Sequence, residues 1–138
     1  MTRLITLLFV LCPVLADAQQ RDSYFDDYAS YSAFVDENII SRNFISLIQV
    51  LGGRDEYTEA ELNAVNNQFL SIYPADFASG VLIRETDLGS GFRQEARVYW
   101  SDAGDYVYFF AMLHDRADAI VVLTFSLNSD VSKIMAEF

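Results

Sequence analysis

Apolar residues recur at helical spacing from Tyr24 through Tyr28, Tyr31, Phe34 and Val35 to Ile40, Phe44, Leu47, Ile48 and Leu51, which predicts one long helix or two. Asn38 and Asn43, with Ser41 between them, mark the expected break, because short polar side chains compete with helical hydrogen bonds. Gly52-Gly53 is expected to end the segment, glycine accepting the backbone geometry of a helix terminus. Thr58-Glu59-Ala60-Glu61 has the form of a capping box, and Leu62, Val65, Phe69 and Ile72 follow on one face, predicting a further helix of about 14 residues that Tyr73-Pro74 stops.

After Gly80 the period changes. Five apolar runs, Val81 to Glu85, Phe92 to Trp100, Tyr106 to His114, Ala119 to Leu127 and Val131 to Phe138, are separated by short joints rich in Gly, Asp, Asn and Ser, the pattern of strands and turns. Short joints make neighbours antiparallel, so the expectation is a meander. Helices first and a sheet afterwards is an α+β layout: N-terminal helices on one face of a curved antiparallel sheet, in one domain over residues 19–138.

The faces of that sheet are the informative part. Phe92, Ala96, Val98 and Trp100 alternate with Arg93, Glu95, Arg97 and Tyr99. If Ser101 to Gly104 is a four-residue loop, the apolar set shares a face with Val107, Phe109, Ala111 and Leu113, and that face should meet the helices. The opposite face then carries Tyr99, Tyr106, Tyr108, Phe110, Met112 and His114, with Val121, Leu123 and Phe125 beside them. An aromatic face of that size points to core, to a protein interface or to a ligand pocket. A one-residue error in the loop would exchange the faces of a strand.

The start of the chain reads as an address rather than as structure. Met1-Thr2-Arg3, the apolar run from Leu4 to Val10 and Ala16-Asp17-Ala18 have the form of a cleavable signal peptide over residues 1–18, with cleavage expected between Ala18 and Gln19. The run is too short for a membrane anchor at roughly 20 residues. Cys12 is preceded by Leu11, where a lipid-attachment signal wants a small residue, so it belongs to the discarded segment. A secreted or periplasmic protein without membrane insertion follows, and its mature form would have no cysteine for a disulfide.

The chain has 138 residues and a net charge of -11. Removing residues 1–18 takes away only Arg3 and Asp17, so that charge stays with the mature protein. It disfavours nucleic acid, which needs a basic stripe, and anionic membranes. No phosphate loop, paired cysteines or histidine cluster is present, so nothing calls for a cofactor or a metal. Asp22, Asp26 and Asp27, or Asp102 with Asp105, lack the regular ligand spacing of a calcium loop. Gly89-Ser90-Gly91 is a turn rather than a nucleophile motif.

The helical residues 24 to 72, the turn at Pro74 and the closing segment Phe125 to Phe138, read as strand, polar turn and strand, resemble the nuclear transport factor 2-like superfamily. The resemblance implies a sheet wrapped around the helices into a cone and frequent homodimers through the open sheet face. It also implies a pocket that some members use for binding and a few for isomerase or cyclase chemistry. Pocket enzymes of the ketosteroid isomerase kind pair a carboxylate base with a tyrosine or acid. Tyrosines abound here, but no carboxylate stands out; Glu95 shares its face with Tyr99 and with Arg93 and Arg97, as surface charges would. His114 precedes Asp115, yet strand neighbours point to opposite faces, so the pair forms a base and its orienting acid only if the chain turns there.

The function expected from these residues is binding rather than catalysis: self-association, or docking of another secreted protein, on the aromatic face, with Tyr99, Tyr106, Tyr108, Phe110 and His114 as its candidates. A small-molecule pocket, with or without isomerase-like chemistry, is the alternative.

Overall fold

The computed structural model describes residues 21–138; the expected signal segment, its cleavage point and Cys12 lie outside the described residues. The elements, in chain order, are β1 (Tyr24–Phe25), α1 (Tyr28–Ile40), α2 (Phe44–Gly52), α3 (Glu59–Ile72), β2 (Ser79–Gly89), β3 (Phe92–Trp100), β4 (Tyr106–Asp115), β5 (Ile120–Asn128) and α4 (Val131–Met135). They build an α+β fold on one antiparallel sheet of order β1-β5-β4-β3-β2. Among the described residues no helix is long and apolar enough to cross a membrane.

The helix boundaries follow local chemistry. Asp27 caps α1 by accepting from the Ser30 amide at 2.7 Å, as a short carboxylate at an N-terminus should. The break between α1 and α2 falls at Ser41 to Asn43. The Asn43 amide donates to Asn38 O and the Arg42 amide to Ile39 O, with Arg42 at φ 56°, so α1 ends in a Schellman turn. Thr58 and Glu61 form the reciprocal capping box of α3, and Tyr73 closes that helix before Pro74.

One side of the sheet is roofed by α1 and α2. Tyr31, Val35 and Ile39 of α1 and Phe44, Leu47 and Leu51 of α2 pack with Val107, Phe109, Ala111 and Leu113 of β4 in a single buried cluster. The β4 residues expected beneath the helices are there. Those of β3 are not. The chain turns in three residues, Asp102-Ala103-Gly104, because the Ser101 amide donates to Asp105 O at 3.0 Å and Gly104 takes φ 93°, the left-handed position such a turn requires. Trp100 therefore pairs with Tyr106, and Arg97 with Phe109. One residue fewer in the loop exchanges the faces of β3: Arg93, Glu95, Arg97 and Tyr99 lie on the helix side, while Ala96, Val98 and Trp100 face outward.

Two further corrections concern the sheet's margins. Val131–Met135 is a helix rather than a closing strand, because Asp130 accepts from the Ser132 amide at 2.9 Å and caps it. The fifth strand is instead the two-residue β1, paired with β5 through Tyr24↔Val121 and Phe25↔Ile120. In β5 a bulge between the Met112 and Leu113 positions of its partner leaves Leu123 48% exposed and turns Phe125 to the helix side, where it packs against the main core. Val121 alone of the three β5 residues expected on the outer face shares the pairing of His114.

The outer face has its own small core. Ile134 of α4 packs on Ala96 and Phe110, flanked by Tyr108, Met112, Met135 and Phe138. The Phe138 ring meets Phe110 edge-on at 5.4 Å, and Gln94 donates to Glu137 O at 2.9 Å. The C-terminal segment thus covers the middle of this face.

Candidate functional site

Putting a charged strand face under a helix demands partners for every charge, and α1 provides them. Glu95 is fully buried. Its Oε1 accepts from the Tyr31 hydroxyl at 2.9 Å and from Arg97 Nε at 2.8 Å, and its Oε2 accepts from the Tyr28 hydroxyl at 2.8 Å. Arg97, also buried, donates through Nη1 to Ser32 Oγ at 2.9 Å and Asp36 Oδ1 at 3.1 Å, and through Nη2 to the Tyr28 hydroxyl at 2.9 Å. The Tyr99 hydroxyl completes the set by donating to Asp36 Oδ1 at 2.6 Å. Tyr28, Tyr31, Ser32 and Asp36 fall on one side of α1 by their three- and four-residue spacing, so the network fastens the helix to β3.

The electrostatics follow from the geometry. Burial, and then the neighbouring Glu95 carboxylate, push the Tyr28 hydroxyl up to about 12. The same two causes raise Tyr31 well above the ordinary range; burial, followed by the hydrogen bond to Asp36, raises Tyr99. Burial opposes the charge of Arg97, but the hydrogen bond and attraction of Glu95 outweigh it and keep the guanidinium protonated. A phenol whose folded pKa exceeds its unfolded value near 10 contributes stability that is complete below about pH 10 and is lost as pH rises through the folded value. For Tyr28 that window runs from about 10 to about 12. We therefore expect tyrosinate absorbance to show a late-ionising group of tyrosines whose appearance coincides with unfolding seen by circular dichroism. Ionisation of all the tyrosines near pH 10 (roughly the free value) with the fold intact would refute the closed network.

Arg93 lies on the same face, its guanidinium 3.9 Å from the centre of the Tyr28 ring. Its Nε and Nη2 are buried without a hydrogen-bond partner, so the cation is held by the ring face.

The residues singled out in the sequence divide between the two faces. Tyr99 is fully buried beneath α1. Tyr106, Tyr108, Phe110 and His114 share the outer face of β4, opposite Trp100, Val98, Ala96 and Phe92 respectively. Phe110 is buried under the C-terminal segment. His114 stacks on Phe92 at 4.1 Å with the rings 9° from parallel, and the Asp115 amide donates to Gly91 O, so the chain continues the strand pairing here rather than turning. Beyond α4 the outer face stays open at one end, where Val81, 50% exposed, and Tyr106, 51% exposed, flank the partly buried Val98, Trp100 and Tyr108.

A concavity that the sequence did not suggest lies on the helix side. α3 stands off from the sheet: of its apolar stripe only Leu62 is buried, and Val65 and Ile72 remain exposed. The gap is an apolar cavity of about 230 Å³ whose lining includes Phe44, Leu47, Leu62, Val65 and Phe69. Next to it a polar cavity of about 260 Å³ is bounded by Ser23, Gly52, Glu56 and Thr124. Tyr57 and Phe125 line both. The signal available in the sequence was the stripe of α3, which is consistent with a helix packed down as well as with one left standing. Neither cavity has a residue of the Glu95 network in its lining, and among the described residues no group of three or more His, Cys, Asp or Glu side chains could hold a metal ion.

No protein-family model matches the chain, and no curated protein or solved structure matches it either.

Proposed function

We propose that this protein is a secreted or periplasmic, non-catalytic binding domain that self-associates through the open end of its outer sheet face. The observation that carries this reading is the patch of Val81, Val98, Trp100 and Tyr106 at the open end of the outer face, bordered by Tyr108 where the C-terminal segment begins to cover it. Its make-up favours association, since exposed aromatic and apolar side chains gathered in one place are enriched at interfaces. A second copy suits it better than an arbitrary partner. The patch bears no charge, so two chains that each carry a net charge of -11 can meet there without burying like charges. Helices on one sheet face and a partly free opposite face resemble the arrangement of the nuclear transport factor 2-like superfamily, whose members often pair through the open face.

Binding is favoured over catalysis because both oxygens of Glu95, the one fully buried carboxylate among the described residues, are already taken by Tyr28, Tyr31 and Arg97, so it is not free to act as a base. Sedimentation of the purified protein is expected to show a concentration-dependent dimer, and Tyr106→Asp is expected to return it to monomer by placing a carboxylate in the contact. Because Tyr106 is half exposed in the single chain, that variant should keep its thermal stability within about 0.5 kcal/mol. A strict monomer at high concentration removes the reading.

A further inference from the structure

The two cavities on the helix side differ in chemistry but share a wall. The apolar one runs between α2 and α3 over the inward side of β5, and the polar one continues past the end of α2. Each is smaller than the roughly 300–1,000 Å³ usual for a small-molecule site, and joined they fall within it. What separates them is Tyr57 and Phe125, and the backbone beside that wall is Gly52. A Cβ on Gly52 would sit 3.3 Å from Phe125 Cε1 and 3.6 Å from Tyr57 Cε2, so a larger residue at this position would crowd the wall that the two cavities share.

The charges along the trough have one sign. Glu61 lines the apolar part and Glu56 the polar part, and no Lys, Arg or His contributes to either. Glu61 is held ionised by its hydrogen bonds to the Thr58 amide and hydroxyl. The Tyr57 ring between the two parts is 44% exposed and offers its face to a cation. An anionic amphiphile would meet two carboxylates here; an ammonium meets two carboxylates and an aromatic ring.

We propose that the trough binds a single-chain amphiphile with an ammonium head, the tail lying between α2 and α3 and the head resting by Tyr57 and Glu56. Apolar burial supplies the affinity and the acidic, aromatic wall supplies the choice of head group. This site is independent of the self-association surface, which lies across the sheet, so either can fail alone.

The test is calorimetric titration of the full chain with decyltrimethylammonium, decyl maltoside, decyl sulfate and choline, each below its micellar concentration. Decyltrimethylammonium is expected to bind saturably at a single site, about fivefold or more tighter than the maltoside, with decyl sulfate weaker still. Choline, without a tail, is expected to give no measurable heat. Glu56→Gln should weaken the ammonium compound and leave the maltoside unchanged. Gly52→Leu should weaken both by driving a side chain into the shared wall of Tyr57 and Phe125, and Val65→Trp, which fills the apolar part from a partly exposed helix position, decides the matter if Gly52→Leu does not fold. Sulfate binding as tight as ammonium, equal binding of choline, or unchanged affinity in a folded variant that fills the trough would overturn the proposal.

Discussion

Replacing Glu95 with alanine is expected to cost the fold about 3–5 kcal/mol, because it strips the principal counter-charge from a buried arginine. The size of the loss follows from what remains. Arg97 keeps Asp36 at 3.1 Å, but the Asp36 side chain is 43% exposed against 0% for Glu95, so solvent screens the surviving pair. Tyr28 and Tyr31 lose the acceptor of their hydroxyls at the same time, each a buried or half-buried donor left without its partner. For a domain with a total stability in the usual range of about 5–15 kcal/mol, this is about a fifth of it or more. Urea unfolding measures it directly, and Glu95→Leu/Arg97→Met should recover part of the loss, since removing both charges is less costly than orphaning one. A loss under about 1 kcal/mol for Glu95→Ala would mean that the network holds nothing together.

Gly80→Ala is the second substitution expected to act strongly, with a loss of about 1–3 kcal/mol or more from a single added methyl group. Gly80 pairs with Tyr99 across β2 and β3, and a Cβ there would lie 2.2 Å from Tyr99 Cδ1 and 2.3 Å from Cε1. The ring cannot step aside freely. It is fully buried, and its hydroxyl is tied to Asp36 at 2.6 Å, so moving it pulls on the same network that holds Arg97. A thermal-melting comparison of Gly80→Ala, Tyr99→Val and the double variant should give strongly non-additive losses, because the smaller side chain leaves room for the methyl group. Additive losses would show that the contact is not the cause.

Much of this architecture is written locally in the chain. The capping box at Thr58 and Glu61, the stop at Tyr73-Pro74 and the polar break between Asn38 and Asn43 each act within a few residues, and the helices fall where those signals put them. The alternation of Val107, Phe109, Ala111 and Leu113 likewise identifies the inner side of β4. What failed was non-local or turned on one residue. The face of β3 depends on whether its loop to β4 has three residues or four, which the Gly104 backbone decides. β1 is two residues long and exists only because β5 offers it an edge. Asp130 caps a helix after a polar turn that serves equally well before a strand.

The candidate site was legible in the same uneven way. That Glu95, Arg97 and Tyr99 share a face could be read from alternation alone. That this face is buried could not, because charge at alternate positions ordinarily marks the solvent side, and only the helix residues Tyr28, Tyr31, Ser32 and Asp36 make its burial tolerable. The trough could not be read at all, since it arises from the distance at which α3 rests.

The three-residue turn between β3 and β4 has a consequence for how the chain reaches this state. A neighbouring register, slipped by one residue, would send Ala96, Val98 and Trp100 toward the helices and release Glu95 and Arg97 to water, satisfying the simple pattern of apolar inside and charged outside. The sequence is therefore locally frustrated at β3: its binary pattern supports a competitor, and the native pairing prevails through a glycine in the turn and hydrogen bonds that only the native register completes. Strand β3 is thus the segment whose pairing depends most on partners outside the sheet, and the tyrosines of α1 supply the hydrogen bonds that favour the native register.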